Sequence, residues 1–147
     1  MITVNIWFPK ANGNIGHASA MVGNEYISNW PGSEMAVFAV GKGQLNTYEM
    51  DVSSEGGKPG YVKKIEKLDE AAILNWWNEF KKTPFYSFAY NNCIQTVATA
   101  LCVGSPNPLH KGPIQPVFIN HHLKLMMFSD MLAINPWVAL PPSVLPL

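Results

Sequence analysis

The N-terminal part of the chain alternates between apolar and polar side chains with a period of two, which is typical of strands with one buried face. Residues 1–8 follow this pattern. Residues 17–22 and 26–30 repeat it on either side of Gly23-Asn24-Glu25, a turn signal. We therefore predict a first strand followed by an antiparallel β-hairpin.

Three further short segments predict strands at residues 35–40, 44–50 and 61–65. Gly41-Lys42-Gly43 separates the first two and is predicted to be a turn. Its single lysine lacks the longer glycine-framed run of a phosphate-binding loop, so we expect no nucleotide site there. The polar, glycine-rich residues 53–60 are predicted to form a solvated loop before the last strand.

An apolar period near 3.6 then predicts an amphipathic helix. Asp69 is suited to cap it, and the helix is expected to run from Glu70 to about Lys82, just before Thr83-Pro84. Two adjacent tryptophans at this spacing indicate core packing rather than a ligand site. The predicted buried stripe consists of Ile73, Trp76, Trp77 and Phe80.

A second helix is predicted to open at Cys93, directly after the capping residues Asn91-Asn92, and to end at Gly104. The unusually apolar residues 118–128 predict another helix, docked on the core. The prolines of residues 135–147 rule out regular helix or a central strand, so we expect a C-terminal tail there.

Composition limits the class of protein. A chain of 147 residues is long enough for one core, which we expect within a single domain spanning residues 1–134. Hydrophobic residues make up 48% and charged residues 14%, with ten Lys plus Arg against ten Asp plus Glu. This balance gives no reason to expect nucleic acid as a partner. We find no signal-peptide pattern and no segment able to span a membrane, which predicts a protein that is cytoplasmic in the producing cell.

The two cysteines indicate a nucleophile rather than a disulfide. Cys93 and Cys102 lie on one predicted helix, roughly 13 Å apart along its axis, and cannot bridge each other. Around Cys93 no second Cys or His has ligand spacing, and His121-His122 are adjacent, so no metal or other cofactor is expected. The first turn of a helix favours a thiolate. The alternative is that Cys93 is a small buried hydrophobe.

The predicted hairpin brings a histidine close to other polar side chains. His17 lies at one tip, and the returning strand ends near the same tip. A three-residue turn puts His17, Ser19 and Asn29 on one face, whereas a two-residue turn gives the place of Asn29 to Ser28. The sequence leaves both registers open. A packed His17 without a chemical role is the alternative to a catalytic base.

In chain order, these parts are a strand with His17, a strand with Asn29 or Ser28, and a helix that opens with Cys93. Thiol hydrolysis needs a nucleophile, a base and a polar group that orients the base. The segments that carry this order are Gly16-His17-Ala18-Ser19, Tyr26-Ile27-Ser28-Asn29-Trp30-Pro31 and Tyr90-Asn91-Asn92-Cys93. They resemble the circularly permuted papain-like cysteine hydrolases, which include the NlpC/P60-like peptidases and the lecithin:retinol-acyltransferase-like proteins.

This resemblance implies a papain-like α+β fold, in which an antiparallel sheet packs on the helix that presents the nucleophile. By position, Cys93 matches the nucleophile and His17 the base. Asn29 matches the orienting residue, with Ser28 as its rival. The third-place histidine usual in the acyltransferase branch is absent. The first two segments also resemble bacterial effector and toxin domains, which implies a part of a larger protein delivered to a target cell by a specialised secretion system.

The expected activity is that of a cysteine peptidase or amidase that works through a thioester acyl-enzyme. The backbone N–H of Cys93, assisted by the side chain of Asn92 or Gln95, is expected to hold the oxyanion. Peptides, proteins and lipid acyl esters all present a carbonyl to such a site, so the substrate stays open. The alternatives are an inactive papain-like module that binds a peptide or partner, and a lipid acyl hydrolase or acyltransferase.

Overall fold

The computed structural model describes residues 1–11, 14–33, 40–88 and 91–106. These residues form an α+β arrangement of antiparallel sheets and helices. Their elements in chain order are β1 (Ile2–Trp7), β2 (His17–Val22), β3 (Glu25–Ile27), β4 (Asn29–Pro31), β5 (Gly41–Leu45), α1 (Tyr48–Ser54), β6 (Tyr61–Ile65), α2 (Glu70–Phe80), β7 (Phe85–Tyr86) and α3 (Cys93–Gly104).

Several sequence predictions concern residues outside these ranges. They are most of the strand predicted at 35–40, His121-His122, the helix predicted at 118–128 and the tail at 135–147. They stay predictions.

Four strands form one antiparallel sheet in the order β3-β2-β1-β6. Its apolar face forms the core together with α2 and α3, because the alternation along β1 and β2 turns every second side chain inward. The predicted first strand, the hairpin turn and the strand at 61–65 are confirmed. The returning strand predicted over residues 26–30 is wrong beyond Ile27, because β4 (Asn29–Pro31) pairs with β5 in a different sheet. The buried core includes Ile2, Val4, Ile6, Ala18, Ala20, Ile73, Trp77, Val97 and Leu101.

The hairpin turn has two residues, Gly23-Asn24, because Val22 pairs with Glu25. Gly23 has a φ of +58°, a conformation that glycine adopts without steric cost. The structure therefore forms the two-residue register. In that register Ser28 comes beside His17.

A second, smaller sheet has the order β4-β5-β7. Gly41-Lys42-Gly43 lies inside β5, so the prediction of a turn there is wrong. The strand predicted at 44–50 is wrong beyond Leu45. Thr47 caps a helix instead: its Oγ1 accepts a hydrogen bond from the Met50 N–H at 3.3 Å. Helix α1 then occupies the start of the predicted loop.

Helix α2 has the predicted N-cap, since the Asp69 side chain accepts a hydrogen bond from the Ala72 N–H at 2.9 Å. The helix ends at Phe80, two residues before the predicted end. Trp77 is fully buried and stacks on Phe80 with a ring separation of 5.3 Å, while Trp76 packs partly buried against the core. The prediction that the tryptophan pair belongs to the core is confirmed.

Helix α3 begins at Cys93 and ends at Gly104, as predicted. It is buried on nearly all sides, including the polar residues Gln95, Thr96 and Thr99. A helix that is enclosed all round belongs to the centre of its domain. The residue at its N-terminus is consequently held in a fixed position relative to both sheets.

Gly43 allows the three strands of the small sheet to pack closely. A Cβ at this position would lie 2.5 Å from Asn29 Oδ1 and 3.2 Å from the backbone of Phe85. Both distances are below ordinary van der Waals contact. Glycine is therefore required here by close packing.

We expect Gly43→Ala to lower the free energy of unfolding by about 1–3 kcal/mol, because β4 and β7 must separate to admit the methyl group. Chemical denaturation checks this value. The matched control is Lys42→Ala on the neighbouring exposed position, with an expected change below about 0.5 kcal/mol. Equal stability of the two variants would contradict the packing argument.

Candidate active site

The N-terminus of α3 is organised by a reciprocal cap. Asn92 Oδ1 accepts a hydrogen bond from the Gln95 N–H at 3.0 Å, and Gln95 Oε1 accepts one from the Asn92 N–H at 3.0 Å. This pair of bonds satisfies two donors of the first turn. It also fixes Cys93 as the first helical residue, where the positive end of the helix favours a negatively charged side chain.

Strand β2 places His17 beside Cys93 at the N-terminus of α3. The imidazole is buried and packs near two indole rings, with its ring centroid 5.6 Å from that of Trp7 and 4.5 Å from that of Trp30. Its Nε2 lies 2.9 Å from Asp51 Oδ2 and 3.0 Å from Ser28 Oγ. Because Nε2 is engaged there, Nδ1 is the ring nitrogen left to interact with the thiol of Cys93.

Asp51, in α1, is the most heavily hydrogen-bonded side chain of the site. Its relative exposure is 0%. A buried carboxylate is tolerated only when its oxygens are paired and hydrogen-bonded. Oδ2 accepts from His17 Nε2, Tyr26 OH (2.8 Å) and Ser28 Oγ (2.8 Å), and Oδ1 accepts from Trp30 Nε1 (2.6 Å) and Asn46 Nδ2 (3.1 Å).

The neighbouring charges determine the protonation of His17. Burial alone would lower its pKa, but the negative charge of Cys93 and the hydrogen bond and charge of Asp51 outweigh burial and raise the pKa to about 9. Burial likewise acts to raise the pKa of Asp51, and the contacts with His17, Tyr26 and Ser28 hold that pKa below its ordinary value. The site therefore favours the imidazolium form of His17.

This raised pKa also links protonation to stability. A group whose pKa is higher in the folded state contributes stability below its unfolded pKa, here 6.5, and loses that contribution as the pH rises through about 9. The imidazolium of His17 therefore stabilises the fold most below pH 6.5.

A cleft of about 330 Å³ opens onto the thiol. Cys93 and His17 line it, together with the aromatic side chains of Trp30, Tyr86 and Phe88. Cys93 is 8% exposed, so the cleft is its route to solvent within the described part of the chain. A small acyl group can approach the sulfur through this opening.

Tyr86 contributes a hydroxyl that contacts both the backbone N–H and the thiol of Cys93. Burial raises the pKa of Tyr86, and the charge on Cys93 raises it further, so the phenol keeps its proton. A protonated hydroxyl beside the N–H at a helix start can donate a hydrogen bond to a developing oxyanion. The sequence carries no signal that assigns Tyr86 to the site, because a two-residue strand has no period.

Asn29 lines the same cleft as His17, but its amide is hydrogen-bonded to groups other than the imidazole. Its Nδ2 donates hydrogen bonds to the Phe85 carbonyl at 3.0 Å and to Thr96 Oγ1 at 3.1 Å, which ties β4 to β7 and α3. The contacts that hold His17 come from Asp51 and Ser28 instead. The expectation that Asn29 orients the imidazole is corrected accordingly, and its rival Ser28 does contact the ring.

The two side chains expected at the oxyanion are engaged in the helix cap. Asn92 uses its oxygen on the Gln95 N–H, and its Nδ2 donates to the Phe88 carbonyl at 3.1 Å. Gln95 is buried and uses its oxygen on the backbone of Asn92. These oxygen contacts of both side chains belong to the helix cap, and the hydroxyl that lies beside the Cys93 N–H is that of Tyr86.

The sequence gives no reason to place Asp51 at the site, because it predicts a strand over residues 44–50 and a solvated loop after it. A signal was present: Thr47 is a good N-cap, and Glu49 and Asp51 follow in the first turn, where acidic residues favour a helix start. Nothing local indicates that this carboxylate reaches His17, because the two residues are 34 positions apart. Their contact depends on how α1 docks on the hairpin.

Within the described ranges, the structure contains neither a metal-binding cluster nor a membrane-spanning helix. Those residues contain no group of three or more His, Cys, Asp or Glu side chains able to hold a metal ion. None of their helices has the length and apolar character required to cross a bilayer. Cys93 and Cys102 are not joined by a disulfide.

Comparison with known proteins adds no relative: no family model, curated protein or solved structure matches this chain. The class that the structure establishes is α+β with antiparallel sheets.

We expect the pKa of His17, measured by NMR of its ring nitrogens, to lie near 9 in the wild type. Asp51→Asn and Cys93→Ala should each lower it, because each removes a negative group that stabilises the imidazolium. Glu79→Gln, on an exposed part of α2, is the control for loss of one surface charge and should leave the pKa unchanged. A pKa near 6.5 in the wild type would contradict the proposed pairing.

Proposed function

We propose that the chain is a cysteine hydrolase in which Cys93, His17 and Asp51 form the catalytic triad. The observation that carries this proposal is the buried contact of Asp51 with the far nitrogen of an imidazole that interacts with a cleft-lining thiol. This combination of nucleophile, base and orienting carboxylate is the one that thiol-dependent acyl transfer requires.

The reaction would proceed through two transfers of the acyl group. The Cys93 thiolate attacks the carbonyl carbon of an amide or ester, and the carbonyl electrons form an oxyanion. The Cys93 N–H and the Tyr86 hydroxyl are suited to stabilise this oxyanion, because both donors lie at the sulfur. As the intermediate collapses, the imidazolium of His17 gives its proton to the leaving group, and a thioester remains on Cys93.

Hydrolysis then regenerates the enzyme. Neutral His17 accepts a proton from water, the resulting hydroxide attacks the thioester carbonyl, and the acid product leaves as the thiolate and imidazolium form again. Asp51 keeps Nε2 as a hydrogen-bond donor throughout, so that Nδ1 is the nitrogen that exchanges the proton with substrate, water and thiol.

Several classes of carbonyl compound could react in this way. Among them, we propose that a peptide or another amide is the substrate. The order of the His17 and Cys93 segments, with its resemblance to papain-like hydrolases, supports a peptidase or amidase. The resemblance to effector and toxin domains supports action on a target cell. The runner-up is a binding module without turnover, which the low exposure of Cys93 and the Tyr86 hydroxyl at its N–H would also suit.

We expect a neutral haloacetamide to label Cys93 much faster than Cys102 near neutral pH, because only Cys93 lines the cleft and contacts His17. Peptide-level mass spectrometry distinguishes the two thiols. With p-nitrophenyl acetate, the wild type should release p-nitrophenol and acetylate Cys93, whereas Cys93→Ala should do neither. Cys102→Ala is the control and should behave as the wild type. Equal, slow labelling of both thiols would support the binding module.

We expect Asp51→Asn to lower kcat for the same ester by about a thousandfold, because the amide cannot stabilise the imidazolium. Ser28→Ala keeps the carboxylate and should cost only about tenfold. Asn29→Ala tests whether Asn29, rather than Asp51, orients the imidazole. It should leave the pKa of His17 near 9, because Asn29 contacts Phe85 and Thr96 instead. A lower His17 pKa in Asn29→Ala, with no change in Asp51→Asn, would reverse the assignment.

Mass spectrometry of peptidoglycan, proteins and lipid extracts incubated with the wild type or with Cys93→Ala tests the natural substrate class. A product that appears with the wild type alone identifies the bond. New amine ends support the amidase, whereas released fatty acid would favour the lipid acyl hydrolase.

A further inference from the structure

The cleft contains one carboxylate that the proposed reaction does not use. Glu55 lines the same cleft as Cys93 and His17, and only 3% of its surface is exposed. Its Oε2 accepts a hydrogen bond from Asn14 Nδ2 at 2.9 Å. Among the described residues, Oε1 has no hydrogen-bond partner. One oxygen of a nearly buried acid is therefore left for a group that enters the cleft.

The surroundings hold this carboxylate in place. Lys10 Nζ donates a hydrogen bond to the backbone carbonyl of Glu55, and Trp7 Nε1 donates to that of Gly57 at 2.7 Å. Asn14, whose Nδ2 binds the carboxylate, has its own Oδ1 bonded to the Gly16 N–H at 2.7 Å. The segments that carry Asn14 and Glu55 thus form one preorganised wall of the cleft.

The position is unfavourable for an acid when the cleft is empty. Glu55 is the C-cap of α1, at the negative end of the helix, and burial raises the pKa of its carboxyl. The hydrogen bond from Asn14 and the positive charges of His17 and Lys10 only partly oppose burial. A cation bound to the open oxygen would relieve this cost, because opposite charges stabilise the ionised form.

We propose that Glu55, oriented by Asn14, forms a subsite for a positively charged group, such as a primary ammonium, carried by the acyl substrate near its reactive carbonyl. Trp30 and Phe88 line the same cleft and present apolar surface to the neighbouring part of that substrate. This inference rests on the proposed hydrolase function and specifies its substrate class. Lys10 does not line the cleft and leaves the open oxygen to the ligand.

Thiol reagents of different charge test the subsite without any turnover. Three methanethiosulfonates serve as probes: the cationic 2-aminoethyl, the anionic 2-sulfonatoethyl and the neutral methyl compound. In each case the Cys93 thiolate attacks the sulfenyl sulfur, a mixed disulfide forms and methanesulfinate leaves. The measured quantity is the ratio of the cationic to the anionic labelling rate at Cys93, and the rate of the neutral reagent is measured separately as a check of access to the thiol.

We expect Glu55→Gln to lower this ratio by about fivefold or more, because a carboxylate a few ångströms from the probe charge is removed. Gln keeps an acceptor for Asn14, so the cleft wall should persist. Glu49→Gln removes the same charge from an exposed position of α1 and should leave the ratio unchanged. In the wild type, the ratio should also fall as ionic strength rises from about 0.05 to 0.5 M, a readout that needs no variant.

An unchanged ratio in Glu55→Gln, with normal neutral labelling, overturns the cation subsite and leaves the hydrolase proposal standing. Conversely, a lower cationic-to-anionic ratio in Glu55→Gln, but not in Glu49→Gln, supports the subsite even if no ester is turned over. If the neutral reagent fails to label Cys93 in the wild type, the cleft does not lead to the thiol, and both proposals are overturned.

Discussion

The buried carboxylate of Asp51 is the interaction on which the rest of the site depends. It has no exposed surface, and five donors satisfy it. An ionised group in such a place is tolerable only because its donors come from different parts of the fold. They include His17 on β2, Tyr26 on β3 and Trp30 on β4, so that one side chain of α1 connects both sheets. Removing the carboxylate would leave several buried donors without an acceptor.

The contact between Asp51 and His17 affects both the stability of the fold and the protonation of the candidate base. Since Asp51 and Cys93 lie on either side of His17, the folded state prefers the imidazolium, and this preference both stabilises the packing and keeps the base charged beside the thiol. The capping box at Asn92 positions the sulfur, and the close approach allowed by Gly43 positions β7 and hence Tyr86. The capping box and Gly43 therefore contribute to the packing of the fold and also position groups of the candidate active site.

Local patterns were sufficient wherever a single element carried the signal. The hairpin around Gly23, the strand at Tyr61–Ile65, the Asp69 cap and the helix from Cys93 to Gly104 could all be predicted, because period and capping are properties of neighbouring residues. Most errors fell on residues 41–50, where a mostly polar, glycine-containing stretch shows neither a strand period nor a helix period clearly. There the outcome depended on Thr47 as a cap and on the pairing of β5 with strands distant in the chain.

What the sequence by itself determined is that a cysteine opens a capped helix and that a histidine stands at the tip of a hairpin, since both follow from contacts between near neighbours. Only the tertiary structure decided which groups surround them. Asp51 and Glu55 belong to α1 and its C-terminal cap, and Tyr86 belongs to β7, so their approach to His17 and Cys93 depends on how these two elements dock. Sequence periodicity describes one element at a time, whereas the identity of a buried charge's partners is a property of packing between elements.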